Sequence, residues 1–280
     1  MIVKKSHFSV FLLTLLFKNP KLFLVALLLG GLSYSYECFI ARDTMSFAGI
    51  PTARGSFIQT STRIFRNRAY MVGYSDLKGN PLWVVYKLTA SDENAHHLNR
   101  PDSFSSDWRN FGFITSGDYT NSGYDRGHMA PNHAIALLYG KEAQQETFLM
   151  TNITPQKPSL NQKLWQHLEE IELETFAPKF KELWVYTGPL FDAKTVRLKS
   201  SHWVEIPDAF YKIYIGIKAN GEIRTLSLII PQNAKSNEGF EKYVVSIDEV
   251  EHRSGFDFLH QLDDDIEDRL ESTIELQNWF

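Results

Sequence analysis

The chain carries two kinds of hydrophobic pattern, and they change over near residue 45. Before that point apolar residues come in unbroken runs, 8–17 and 22–32, separated by Lys18-Asn19-Pro20-Lys21. The second run has no polar face, so a helix built from it has no side to turn toward water. It follows a leader carrying Lys4 and Lys5 and precedes the small residues Ser33 and Ser35, which is the order of an export signal with a weak cleavage position after Ser35. Retained, the same segment is a membrane anchor, tilted or partly interfacial, because each run alone is short for a bilayer. Either way the lysines stay cytoplasmic and the remainder is exported, to the periplasm, the medium or the outer face of a membrane.

From residue 47 the periodicities are those of a globular domain. Runs of β-formers at 69–74 and 82–88 flank Lys78-Gly79-Asn80-Pro81, which predicts a hairpin. The stretch 89–121 is polar and reads as loop. A short strand is expected at 124–129, stopped by Pro131, then helices at 132–140 and 141–148, then a strand at 148–153. Pro155 and Pro158 predict a loop. Ser159-x-x-Gln162 has the form of a capping box, opening a helix with Leu160, Leu164, Leu168 and Ile171 on one face. Further strands are expected at 183–186, 209–217 and 224–230, with Asn220-Gly221 turning between the last two, and helical or mixed structure at 239–250 and 256–262. Strands and helices without a βαβ rhythm predict an α+β domain with a mainly antiparallel central sheet and flanking helices. The expected organisation is a signal peptide or anchor with its linker over 1–43 and one domain over 44–280.

Length and composition change this picture little. With 280 residues, 43% of them hydrophobic, the chain can bury a full core. Cys38 is the lone cysteine, so no disulfide forms within the chain, and it is given no catalytic role. Charge is more informative once divided. The net −4 splits into +3 over 1–43, −7 over 257–280 and zero over 44–256. A protein that coats nucleic acid through a broad basic face is excluded; any nucleic-acid groove is a local patch. The acidic tail reads as a solvated helix face.

The candidate chemistry lies in Ser122-Gly123-Tyr124-Asp125-Arg126-Gly127-His128-Met129-Ala130-Pro131. Arginine offers a planar fork of donors suited to phosphate. Histidine can take a proton near neutral pH. Gly127 permits a sharp turn or a close backbone approach. Downstream come Thr151-Asn152-Ile153-Thr154-Pro155-Gln156 and Leu160-Asn161-Gln162-Lys163-Leu164-Trp165-Gln166-His167-Leu168-Glu169. Asp-Arg-Gly-His followed by Asn-x3-Trp-x3-Glu resembles the DNA/RNA non-specific endonucleases, the Serratia nuclease and endonuclease G type with a ββα-metal finger, over about residues 47–274.

The resemblance implies a metal-dependent hydrolase that cleaves phosphodiester bonds of DNA and RNA. His128 is the general base toward water, and Arg126 contacts the phosphate and developing charge. Asn161 is the metal ligand, since magnesium (or manganese or another divalent ion) prefers oxygen donors and takes few protein groups. Glu169, about 12 Å along an α-helix and rotated about 80° from Asn161, reaches the metal only through water. Asn152 and Arg100 are candidate substrate contacts, and Asp125 supports Arg126 or nearby backbone. Trp165 reads as core, and His96, His97, His133 and His167 as structural. Nucleic acid is the expected partner, the membrane a second if the N-terminal segment is retained, and a homodimer is allowed. An inert, membrane-tethered nucleic-acid-binding domain and a related exonuclease or phosphodiesterase remain the alternatives.

Overall fold

A computed structural model of the chain describes residues 18–91, 98–192, 194–277 and 279. The leading lysines, the first apolar run, His96 and His97 fall outside the described residues. The chain divides into two compact units, 1–44 and 45–280.

In the first unit, helix α1 (Pro20–Tyr36) opens behind Asn19, whose side chain accepts the Leu22 N–H at 3.4 Å. Pro20 suits this first turn because its missing N–H would have no helical partner. A wider turn, Glu37–Ala41, continues the helix without a break. No residue of α1 is buried. The run at 22–32 is therefore only the middle of a longer helical segment. Pro20–Met45 is 26 residues and contains an 18-residue window with a mean hydropathy of 1.6. At about 1.5 Å per residue it is long and apolar enough to cross a membrane.

The second unit contains, in chain order, β1 (Thr52–Ala53), α2 (Phe57–Thr60), β2 (Arg63–Arg66), β3 (Tyr70–Ser75), β4 (Asn80–Leu88), β5 (Asp125–His128), α3 (Asn132–Thr147) and β6 (Ile153–Gln156). There follow α4 (Gln166–Ile171), β7 (Glu182–Leu190), β8 (Ala209–Ile217), β9 (Ile223–Pro231), β10 (Val244–Val245), α5 (Ile247–Ser254), β11 (Phe256–Asp257) and α6 (Asp264–Ser272). Seven strands form one sheet in the order β10-β9-β8-β7-β4-β3-β2, every neighbour antiparallel. Alternation sends Val84, Tyr86, Phe210 and Tyr214 to one face, where they meet Met129, Ile153, Leu160 and Trp165. Val85, Tyr211, Ile213 and Ile215 face the other way, onto Ile247, Val250 and Leu270 of α5 and α6. Both faces are covered, so the central strands read as nearly continuous apolar runs. The fold is α+β, with a mainly antiparallel sheet and flanking helices.

Several local expectations change. The hairpin turns at Gly79, which holds a left-handed φ of 61°, but β4 already begins at Asn80. Gly140, at φ 82° and ψ −173°, breaks α3 where two helices were expected to meet. The strand expected at 148–153 is instead a tight turn, Met150–Asn152, and β6 begins only at Ile153. Pro155 lies within β6 opposite Arg126 rather than in a loop. The next helix starts at Pro158, for the same reason that Pro20 opens α1. Ser159 is itself helical, at φ −64° and ψ −29°, and makes no capping bond, so the capping box does not form. The region 256–262, expected to be helical or mixed, holds the short strand β11, paired with β1, and then turns. The acidic tail is not simply solvated, since α6 buries Glu267 and Glu271 beside Leu270.

Candidate active site

β5 pairs with β6 so that Asp125, Arg126, Gly127 and His128 lie opposite Gln156, Pro155, Thr154 and Ile153. The helix from Pro158 follows β6 directly, completing a ββα unit. Alternation along β5 puts Arg126 and His128 on one side. On the other side Gly127 faces Gln156. A Cβ at position 127 would stand 2.0 Å from Gln156 Oε1. Gln156 is fully buried, so its side chain has nowhere to move. This close approach, not a turn, is why the position takes glycine.

The helix explains how Asn161 and Glu169 reach one site. An uninterrupted α-helix would leave them about 80° apart. Here Leu160–Trp165 is a π-helical segment, with the wider i→i+5 turn. One extra residue in a turn makes eight residues rotate about as far as seven, within about 20° of two full turns. Asn161 and Glu169 thus line the same cleft. Asp125 Oδ2 accepts the Asn161 side-chain N–H at 3.0 Å and that of Gln162 at 2.8 Å. A carboxylate can face only the NH₂ of the amide, so Asn161 Oδ1 is left for another partner. Asp125 therefore supports Asn161; the expected partnership with Arg126 is absent.

The cleft encloses about 490 Å³ and is lined by Arg100, Arg126, His128, Asn161 and Glu169, together with Pro131, Asn132, His133, Ala134, Gln162, Gln166, Glu170 and Glu174. His128 packs between the rings of Phe104 and Phe148, 5.4 and 5.0 Å away. Its Nε2 is buried without a hydrogen-bond partner. Burial, and then the nearby Arg100 charge, lower its pKa to about 3, so the imidazole is neutral throughout the physiological range. Glu169 shifts the opposite way. Burial, reinforced by Glu172 and offset by Lys212, raises its pKa to about 8. Its Oε1 and the side-chain oxygen of Asn132 are also buried without partners. Unused acceptors beside a free amide oxygen are what a bound cation with its water would satisfy.

Arg126 donates from Nη2 to the Ser116 carbonyl at 2.5 Å and the Thr120 hydroxyl at 3.5 Å, leaving Nε buried and unpaired. Arg100 is exposed, with its guanidinium 5.3 Å from the Phe148 ring. Asn152 does not meet the cleft. Its Oδ1 accepts from Ala130 N at 2.8 Å, while its Nδ2 donates to the Ala130 and Thr147 carbonyls at 3.0 and 2.9 Å. Every polar atom of its fully buried side chain is thus used in pinning the residues after His128, and none remains for substrate.

His133, read from the sequence as structural, lines the cleft. His167 lies outside the lining and contacts Glu170 at 3.5 Å. The sequence reading also passed over Gln162, Gln166, Glu170 and Glu174. Their spacing of four was a readable signal for one polar helix face.

This fold and site define a ββα phosphodiesterase-type nuclease, and comparison with known proteins gives the family. The DNA/RNA non-specific endonuclease family model matches residues 52–265, so the chain belongs to that family. It is 32% identical over 223 residues to a nuclease of Nostoc sp., covering 74% of this chain and 76% of the relative. It is 30% identical over 204 residues to the mitochondrial endonuclease G of Homo sapiens, covering 68% and 67%. With a nuclease of Serratia marcescens the identity is 27% over 264 residues, 91% and 94% of the two chains. A solved endonuclease G in complex with its inhibitor EndoGI has the same fold, with TM-score 0.66 and 23% identity over 84% of this chain and 94% of that one.

Proposed function

We propose that this chain is a magnesium-dependent endonuclease acting on DNA and RNA without base selection, exported or anchored through its N-terminal segment. The observation that carries the site is the Asp125–Asn161 hydrogen bond, which commits one end of the amide and frees the other. Asn161 holds the divalent ion, with Glu169 reaching it through water. When bound, the ion supplies positive charge beside the scissile phosphate.

His128 deprotonates the attacking water. Its neutrality makes it a ready acceptor, and its low pKa would make proton transfer costly by itself. The phosphodiester offsets that cost, because an anion beside the ring favours the imidazolium. The unpaired Nε–H of Arg126 and the exposed guanidinium of Arg100 serve the phosphate oxygens. No element among the described residues resembles a base-reading helix, so cleavage follows the backbone. The 1–43 segment works as signal or anchor, and 44–280 as the nuclease domain.

The test is incubation of the full chain with closed circular plasmid and with RNA, in magnesium and in EDTA. Nicking of the circle and cleavage of RNA, both abolished by EDTA, are expected. Trimming of linear ends alone, or binding without turnover, would overturn the reading.

A further inference from the structure

We propose that Asp257, Glu267 and Glu271 form a second cation site, selective for calcium, on the sheet face opposite the catalytic cleft. The site joins three elements: β11 carries Asp257, α6 carries Glu267 and Glu271, and α5 brings Asp248 and Glu251 alongside. Carboxylate oxygens of Asp257, Glu267 and Glu271 all lie within 4.8 Å of one another, and so do those of Asp248, Glu251 and Glu271. The first three residues are more than nine-tenths buried, with exposures of 7%, 9% and 4%.

The protein only partly compensates this charge. Arg54 reaches Asp257 Oδ2 at 2.9 Å and Glu251 Oε2 at 3.6 Å, from a largely exposed position. Thr52 donates to the same Asp257 oxygen, and the Phe258 N–H donates to Glu251 Oε1 at 2.7 Å. His260 lies nearby with Nε2 against the Ile50 carbonyl at 3.0 Å, and Asp264 adds a further negative charge. Asp257 Oδ1 and Glu271 Oε1 remain buried with no hydrogen-bond partner. A buried carboxylate is costly unless it is paired or ligates a metal.

Two things could relieve the cluster, protons or a cation. Burial, with Glu251 and Glu267 as neighbours, raises the Glu271 pKa to about 9 in the cation-free protein. A proton shared between Glu251 and Glu271, whose side chains hydrogen-bond, relieves only that pair and leaves Asp257 Oδ1 unserved. A cation satisfies all the oxygens together. The donors are oxygen only, which selects a hard ion over zinc or copper. A buried cluster of protein carboxylates suits calcium, which takes roughly six to eight oxygens in a flexible geometry, better than magnesium, which demands a near-ideal octahedron and keeps several of its waters. Bidentate carboxylates, Glu251 and water can complete the coordination. Bound there, calcium would tie α6 to α5 and to the β1–β11 ribbon. Asp257 lies inside the family match, which ends at residue 265, and Glu267 and Glu271 lie beyond it.

The test uses the full chain in detergent, stripped with EGTA and held at constant magnesium to occupy the catalytic cleft. Calcium titrated calorimetrically should bind at one site. It should raise the Tm by roughly 5–10 °C at about 100 times its dissociation constant. Glu267→Gln/Glu271→Gln should lose both the binding heat and the Tm response while nicking plasmid at the parent rate. No calcium heat and no calcium-dependent Tm in the parent would overturn the proposal, whether or not the variant folds. A well-folded double variant that binds calcium like the parent would overturn it as well.

Discussion

Asp125 and Asn161 are 36 residues apart in sequence, yet a 3.0 Å hydrogen bond between their side chains sets which end of the amide faces the cleft. Asp125→Ala should let the Asn161 amide rotate and remove the anchor of Gln162. The expected result is a loss of about 10–100-fold in apparent magnesium affinity, the usual cost of losing a residue that orients a ligand. Activity measured against magnesium concentration checks this: the curve should shift to higher magnesium and recover most of its plateau.

His128→Ala should lower turnover by about 10²–10⁴-fold with little change in substrate binding. The lowered pKa alters the pH behaviour expected from sequence, which placed the titration near neutrality. With a folded value of about 3 against an ordinary 6.5, the folded state binds fewer protons than the unfolded state between those limits. Stability is therefore full above pH 6.5 and is lost as pH falls toward 3. The loss approaches about 1.4 kcal/mol per pH unit in that window. Thermal melts from pH 7 to 4 should show a smaller decline for His128→Phe than for the parent, and the parent's kcat/KM should lack an inflection near 6.5.

Much of this site was legible because its chemistry is local. Arg126 and His128 lie within one four-residue motif, and the structure puts them on one side of β5. The antiparallel sheet followed from strands and helices that show no βαβ rhythm, and the strand expected at 209–217 is the observed β8. What stayed hidden depended on partners distant in sequence. Asn152 looked like a substrate residue because no spacing reveals that Ala130 and Thr147 occupy its amide. Glu169 looked misplaced because π-helical turns leave no hydrophobic signature. Glu267 and Glu271 looked solvated because their burial arises only when α6 packs beside α5 and β11.

Lys212 offers a test of the support behind the cleft. It is fully buried and ion-paired to Glu172, which also accepts from the Tyr86 and Tyr214 hydroxyls at 2.8 Å each. Its ammonium is also 4.8 Å from the Trp165 ring. Lys212→Met leaves the Glu172 charge uncompensated, and a loss of about 3–5 kcal/mol is expected. Lys212→Met/Glu172→Gln should recover much of it, because no unpaired ion remains. Chemical denaturation of both variants decides; equal stabilities would show that the pair contributes nothing as a pair.

Gly127→Ala tests the packing between β5 and β6. The added methyl would meet Gln156 Cδ at 2.4 Å and Cγ at 2.6 Å as well as Oε1. The strands must separate, at a cost of about 1–3 kcal/mol, the usual range for overpacking. His128 follows Gly127 directly, so turnover should fall along with stability. Gly127→Ala/Gln156→Ala should relieve the collision, and a Tm no higher than that of the single variant would refute this account.

Asn161→Asp separates holding the ion from using it. The substitution keeps an oxygen in nearly the same place but adds a negative charge. Its carboxylate also faces Asp125, which now has no amide N–H of residue 161 to accept. Hard cations favour carboxylates, so metal affinity should survive or rise despite that repulsion. Turnover should nonetheless fall, because the new charge offsets part of the positive field on the transition state. It also repels the incoming phosphodiester, and added salt should weaken that part of the defect. Asn161→Ala lacks the oxygen altogether and should lose affinity and rate together, with partial recovery at high magnesium. Calorimetric magnesium titration beside plasmid-nicking rates reads both quantities. Opposite signs for Asn161→Asp and matching losses for Asn161→Ala are expected; two variants with the parent's affinity and rate would move the ligand role away from Asn161, with Glu169 next in line.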